Sequence, residues 1–335
     1  MGSFLDLAAA NLLSPMVLFF LLGALATIAK SDLSIPEAIA KGMSLYLMLS
    51  IGYKGGASVA ANGINGLLIA SLIAGVILSA IMPLIAFKLL TASTRLPRVD
   101  AAAVAAHYGS ISIVTFLAAI QTLDGAGIPY EGHMVAVAAA METPAIMVAL
   151  WLAHTGKNGA GSVSGQGGGQ GGGMDRSVLH DVLLNGSIVV LVGAFAIGCI
   201  TGASGLKSIA PFIVDPFKGI LCLFLLDMGV IAGRGLAEGR KHLTPPVLLF
   251  GLYMPLIGAG LGALAAMTIG LSLGGTALLI TLCASSSYIA VPAALRLALP
   301  DARPSIYLPL SLGVTFPFNL TLGIPLYLAL AAYIH

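Results

Sequence analysis

Two short runs of small hydroxyl residues lie in the middle of apolar stretches: Gly109-Ser110-Ile111-Ser112 and Ser285-Ser286-Ser287-Tyr288, the second followed by Pro292. Such residues, and a proline that removes a backbone donor, favour a broken helix. A broken helix leaves free N–H groups at the start of its second half. That end carries roughly half a positive charge and holds anions. Two such ends meeting at one spot would form an anion site, with Gly109, Ser110, Ser112, Ser285, Ser286, Ser287 and Tyr288 around it. The plainer alternative is that small residues simply let membrane helices approach. Recurrence of the pattern at two places favours a site.

Two acids carry a second signal. Glu142 (in METPAIM) and Asp227 (in LLDMGV) sit deep in apolar sequence. An ionised carboxylate there is costly unless it is paired or holds a cation. Oxygens from Glu142, Thr143, Thr315, Asn319 and Asp227, with carbonyls freed by Pro144 and Pro317, make a ligand set suited to sodium. A protonated carboxyl is the alternative, and it leaves the proton open as a coupling ion. His107, just before the first hydroxyl run, either lines the site or packs as a hydrogen-bonded ring. Tyr108 and Tyr288 either close a cavity or pack.

The elements that carry these residues are membrane helices. Of 335 residues, 58% are hydrophobic and 8% charged, against about 25% charged in soluble proteins. This excludes a soluble enzyme, a disordered regulator and a nucleic-acid binder; 15 Lys+Arg against 13 Asp+Glu leave no basic field for phosphates. Cys199, Cys222 and Cys283 stand singly and imply no metal site and no cofactor. Gly202-Ala203-Ser204-Gly205 matches the Gly-x-Ser-Gly of intramembrane serine proteases, but no histidine lies near it in sequence.

Apolar runs bounded by charge, glycine or proline predict ten spans: about 14–29, 36–53, 67–90, 101–123, 132–154, 178–200, 213–232, 246–269, 275–297 and 305–333. Gly55-Gly56 and Gly202–Gly205 are read as junctions. The odd-numbered gaps hold 12 of the 15 basic residues and the even-numbered gaps 3. This bias places the odd gaps in the cytoplasm and both termini outside or in the periplasm. The expected location is a membrane, crossed many times. Met1–Asp6 has no basic stretch of the kind that opens a signal peptide, so no cleaved signal is expected.

Five spans precede the Gly-rich segment Gly159–Gly173 and five follow it. Residues 157–177 are therefore read as a cytoplasmic linker between repeats at 1–156 and 178–335. An odd number of spans per repeat inverts the second repeat in the membrane. Asp124, Pro129 and Pro144 recur as Asp301, Pro304 and Pro317, at offsets of 177, 175 and 173 residues. Inverted repeats with polar interruptions at matching places belong to secondary transporters. The fold class is all-α polytopic membrane protein: ten transmembrane helices in two inverted five-helix repeats, with helices 4 and 9 broken where they cross.

Further stretches carry a family resemblance: Ser14-Pro15, Ser34-Ile-Pro-Glu-Ala-Ile39, Ile51-Gly-Tyr-Lys-Gly-Gly56, Ile128-Pro-Tyr-Glu131, Gly109-Ser110, Ala284-Ser-Ser-Ser287, and Pro304-Ser305 with Tyr307. Together they resemble the sodium-dependent bicarbonate transporter family, in its broad bacterial branch rather than the cyanobacterial one. The resemblance implies a gate of spans 1, 2, 6 and 7 and a core of spans 3–5 and 8–10, which move against each other. It implies homotrimers and a cytoplasmic PII-like regulatory partner. It places the anion at Gly109, Ser110, Ser112 and Ser285–Ser287, with sodium close by. Cyanobacterial members carry Asp where this chain has Tyr288 and where it has Glu142. The function expected is sodium-coupled symport of a small anion, most simply bicarbonate. Another small carboxylate, proton coupling, or a membrane scaffold for a PII-like regulator are the alternatives.

Overall fold

The computed structural model describes residue 9 and residues 11–154, 186–239, 243–288, 291–292, 294–295, 299 and 301–335. Linker 157–177 and the predicted start of span 6 lie outside the described residues. Among the described residues the chain is helical, without strands. Among the described residues, seven helices are long and apolar enough to cross a membrane. They overlap predicted spans 3–8 and 10; at span 6 the helix runs on to Ile213, past the predicted end at Ile200.

The other three predicted spans fall short for identifiable reasons. Helix α1 (Pro15–Ile28) has 14 residues. Helix α2 (Glu37–Asn62) has 26 residues but carries Glu37, Lys41 and Lys54. Predicted span 9 is interrupted, so its first half, α11 (Leu273–Ala284), has only 12 residues. The remaining helices are α3 (Gly66–Ser93), α4 (Arg98–Gly109), α5 (Ile113–Ala126), α6 (Met134–Ala140), α7 (Glu142–His154), α8 (Gly186–Ile213), α9 (Phe217–Gly239), α10 (Pro245–Ile269) and α12 (Pro304–Ile334).

The helices sort into two groups. In the first, α1 lies along α9 and α2 along α8. Both pairs run parallel and close because glycines face backbone. A Cβ on Gly23 would stand 2.1 Å from the Leu226 carbonyl oxygen, and one on Gly56 1.9 Å from that of Phe195. Small residues at such contacts let membrane helices gain dispersion energy that lipid does not offer. This corrects one expectation: Gly55-Gly56 is no junction, and α2 runs through it to Asn62. Glycine composition looks alike whether it serves a turn or a close crossing. Gly202 is a true bend, with φ 58° and ψ −153°, but helix continues beyond it to Ile213.

In the second group α3, α4 and α7 pack together, as do α10, α11 and α12. The segment Arg98–Ala126 (α4 and α5) is the most enclosed: its most apolar window is entirely buried. Its run Ala101-Ala102-Ala103-Val104-Ala105-Ala106 explains this, because small side chains admit neighbours on every side.

Helix α12 contains Pro309, Pro317 and Pro325, which cannot donate to the helical ladder. The chain widens into π-turns over Pro309–Thr315 and Asn319–Gly323. Asn11, just before α1, donates to the Leu320 and Thr321 carbonyls at 2.6 and 3.1 Å. It thus satisfies acceptors that would otherwise be orphaned in hydrocarbon.

Candidate functional site

Both hydroxyl runs break their helices. Helix α4 ends at Gly109, and Ser110 turns extended with ψ 154°. Helix α5 starts after Ser112, whose side chain accepts from the Thr115 N–H. Helix α11 ends at Ala284, Ser285 is extended with ψ 165°, and Val291 and Pro292 are helical again.

The two breaks cross and are bonded to each other. Ser112 N donates to Ser285 Oγ at 2.9 Å, and Ser285 Oγ donates to the Leu282 carbonyl at 2.8 Å. Ser287 N donates to the His107 carbonyl at 2.8 Å, and the His107 Nδ1 pairs with the Ser287 carbonyl. The His107 ring stacks on Tyr307 with centroids 4.7 Å apart. His107 therefore braces the crossing. Ser286 Oγ donates to Ser311 Oγ at 2.9 Å.

Ser110 differs from Ser112, Ser285 and Ser286, and shares with His107 Nε2 and the Tyr288 hydroxyl the lack of a partner among the described residues. It is buried, and its Oγ has no hydrogen-bond partner among the described residues. A buried hydroxyl without a partner costs about 1–3 kcal/mol. Here it stands beside the N-terminus of α5, where free N–H groups favour negative charge. These are the chemical requirements for holding a small anion.

The predicted cation ligands are placed as follows. Glu142 opens α7 after a turn at Met141, and one carboxylate oxygen, Oε2, is buried and unpartnered among the described residues. One turn on, Ala145 reaches the break, since a Cβ on Gly109 would lie 2.8 Å from its Cβ. Ser79 donates to the Met141 carbonyl at 2.5 Å. Thr315 donates to the Gly251 carbonyl at 2.7 Å and pairs with the Tyr108 hydroxyl at 2.5 Å. Asn319 donates to the Ala284 carbonyl at 2.9 Å and accepts from Tyr327 at 2.6 Å. Thr315 and Asn319 thus each keep a spare lone pair on oxygen. Thr143 is half-buried on α7. Asp227 is buried on α9, in the other helix group, with no hydrogen bond to the crossing among the described residues. No cluster of three His, Cys, Asp or Glu occurs among the described residues, so a cation bound here has Glu142 and otherwise neutral oxygens to draw on.

Two outer struts escaped the sequence reading. Asp100, in the first turn of α4, accepts from Arg303 N and Nε at 2.9 Å each and from Nη2 at 2.6 Å. Glu131 accepts from Ser272 N at 2.8 Å and Ser272 Oγ at 2.9 Å, at the N-cap of α11. Ser272 followed by an apolar run was a legible cap signal, but its distant partner was not. Beside Glu131, Tyr130 donates to Asp124 at 3.1 Å. Burial, with the Asp124 carboxylate next to it, pushes the Tyr130 phenol above its ordinary range, so it stays a neutral donor.

Each strut borders a cleft. One of about 290 Å³ is lined by Ser58, Asn65, Glu131, His133 and Ser272. The other, of about 380 Å³, is lined by Thr94, Arg95, Thr244, Arg303 and Ile306.

The sequence profile of the Na+-dependent bicarbonate transporter superfamily matches residues 15–332. This chain belongs to that superfamily. Among curated proteins, none matches it. As a member of the Na+-dependent bicarbonate transporter superfamily it is a multi-pass membrane protein of a transporter class, not an enzyme. Its crossing is built from stretches inside that match, from α4 to α12.

Proposed function

We propose that the protein is a sodium-coupled symporter that imports a small anion, bicarbonate first, by alternating access. The observation that carries this reading is Ser110: a buried, unpartnered hydroxyl at the crossing of two broken helices, in a chain of this superfamily. The anion is held by hydroxyl and backbone donors rather than by a basic side chain. Neutral donors let a monovalent anion bind and leave without a strong ion pair to break. Sodium binds on the Glu142 side, where its charge compensates a carboxylate that hydrocarbon otherwise penalises.

In this reading the ten spans form two inverted repeats, and the struts support it. Glu131 and Arg303 are 172 residues apart, and so are their partners Asp100 and Ser272. Each repeat thus sends the loop before its last span to the start of the other repeat's broken helix. The two clefts are related in the same way, one on each face. The core (α3–α7, α10–α12) moves against the gate (α1, α2, α8, α9), opening the crossing to one side of the membrane at a time. Both termini face the periplasm of a bacterial inner membrane. A homotrimer and a PII-like cytoplasmic partner belong to this reading through the family resemblance; linker 157–177, which would face that partner, lies outside the described residues.

One observation favours a second reading. The free Oε2 of Glu142 could carry a proton, which makes the proton the coupling ion. A scaffold without transport is the third. Uptake of labelled bicarbonate by proteoliposomes holding wild-type protein or Ser110→Ala separates transport from scaffolding. Transport predicts uptake by wild type and much weaker uptake by the variant at low bicarbonate. Equal accumulation in both, no greater than in empty vesicles, would overturn the proposal.

A further inference from the structure

Tyr288 stands where the crossing meets the gate. It follows Ser287 directly, and its ring is buried. On one side the ring meets Phe316 of α12 edge-on, with centroids 5.2 Å apart. Phe316 in turn meets Phe20 of α1 edge-on at 5.3 Å. Three rings therefore run from the crossing to the gate. On its other side the Tyr288 hydroxyl lies beside Ser112 without a hydrogen bond of good geometry.

Ser112 Oγ already accepts from Thr115 N at 3.2 Å and from Thr115 Oγ1 at 2.9 Å. Its two lone pairs are spent, and only its own proton remains. That proton can go to the Tyr288 oxygen, which leaves the phenol proton as an outward donor. At the crossing the Ser110 hydroxyl is likewise without a partner among the described residues. Two hydroxyl donors suit a small oxyanion with two acceptor oxygens. The Tyr288 ring, held between the crossing and Phe316, is the bulky group next to these donors.

Resting on the anion-site reading above, we propose that Tyr288 is the specificity-determining residue of this site: its hydroxyl donates to the anion, and its ring, backed by Phe316 and Phe20, limits the anion to one-carbon size. Formate and bicarbonate fit, whereas acetate and lactate do not.

The test is thermal stabilisation of purified protein in detergent by formate, bicarbonate, acetate or lactate, in the presence of sodium. It reads binding and does not depend on transport. Wild type should be stabilised by the first two anions only. Tyr288→Phe should keep that ranking and need about tenfold more anion, for one lost hydrogen bond to charge. Tyr288→Ala should also respond to acetate and lactate. Should the alanine variant fail to fold, Tyr288→Leu removes the planar ring while keeping bulk, and it should respond to acetate. The proposal is overturned by a wild type that responds equally to lactate or to no anion, or by ring-free variants that keep the wild-type ranking. If wild type prefers formate to bicarbonate, the size limit stands and only the choice of bicarbonate as cargo fails.

Discussion

Asp100 and Arg303 lie 203 residues apart in sequence and form an ion pair with an Nη2–Oδ2 distance of 2.6 Å. The aspartate side chain is 5% exposed and the arginine 45%. The pair ties the start of α4 to the start of α12 and holds the broken helix at a fixed angle. Removing Arg303 leaves a nearly buried carboxylate, which costs about 3–5 kcal/mol in a fully buried pair. Arg303 is half open to water, so Arg303→Ala should cost less, about 1–2 kcal/mol. Asp100→Asn should cost less again, because its carbonyl can still accept from Arg303 N. Thermal unfolding in detergent checks this order; equal stability of all three proteins would show that the pair is idle.

The hydroxyls at the crossing should separate by task. Ser285 is bonded at both ends, so Ser285→Ala leaves the buried Ser112 N–H unsatisfied and should destabilise by about 1–3 kcal/mol. Ser110 is bonded to nothing described. Ser110→Ala should leave stability nearly unchanged and raise the KM for the anion about tenfold or more, the worth of a hydrogen bond to charge. Melting curves and uptake kinetics on the two variants check the contrast. A reversed pattern would move the anion from Ser110 to Ser285.

Glu142→Gln keeps shape and removes charge. Uptake by this variant should no longer rise with sodium. If the proton is the coupling ion, the variant should instead lose its dependence on the imposed pH gradient. Uptake measured against each gradient separates the two, and an unchanged sodium response would remove Glu142 from the ion site.

Gly132 lets the loop before α6 close on α2 beside the 290 Å³ cleft. A Cβ there would lie 2.1 Å from Ser58 Oγ. Gly132→Val should prevent this closure and stop turnover while sodium and anion still bind. A cysteine placed at Ser58 should then react faster with a membrane-impermeant thiol reagent added outside. Normal uptake by Gly132→Val would mean that this contact need not open and close.

How much of this was legible depends on the range of the interaction. The breaks at Ser110–Ser112 and Ser285–Ser287 were readable because small hydroxyl residues in an apolar run are a local signal. Span positions followed from hydropathy for the same reason. Gly55-Gly56 misled because close packing against Phe195, 139 residues away, uses the same residue as a turn. The Asp100–Arg303 and Glu131–Ser272 struts leave no periodic trace, since nothing local relates their partners. The sequence also could not distinguish Ser110 from Ser285. Both are serines at equivalent breaks, and only the crossing geometry leaves one hydroxyl spent and the other free.

The most direct measurement is labelled bicarbonate uptake by wild-type proteoliposomes under an inward sodium gradient, compared with equal sodium on both sides. Sodium-coupled import gives accumulation above equilibrium with the gradient and collapse of that accumulation without it. Accumulation that ignores the sodium gradient, or its absence under every gradient, would contradict the account.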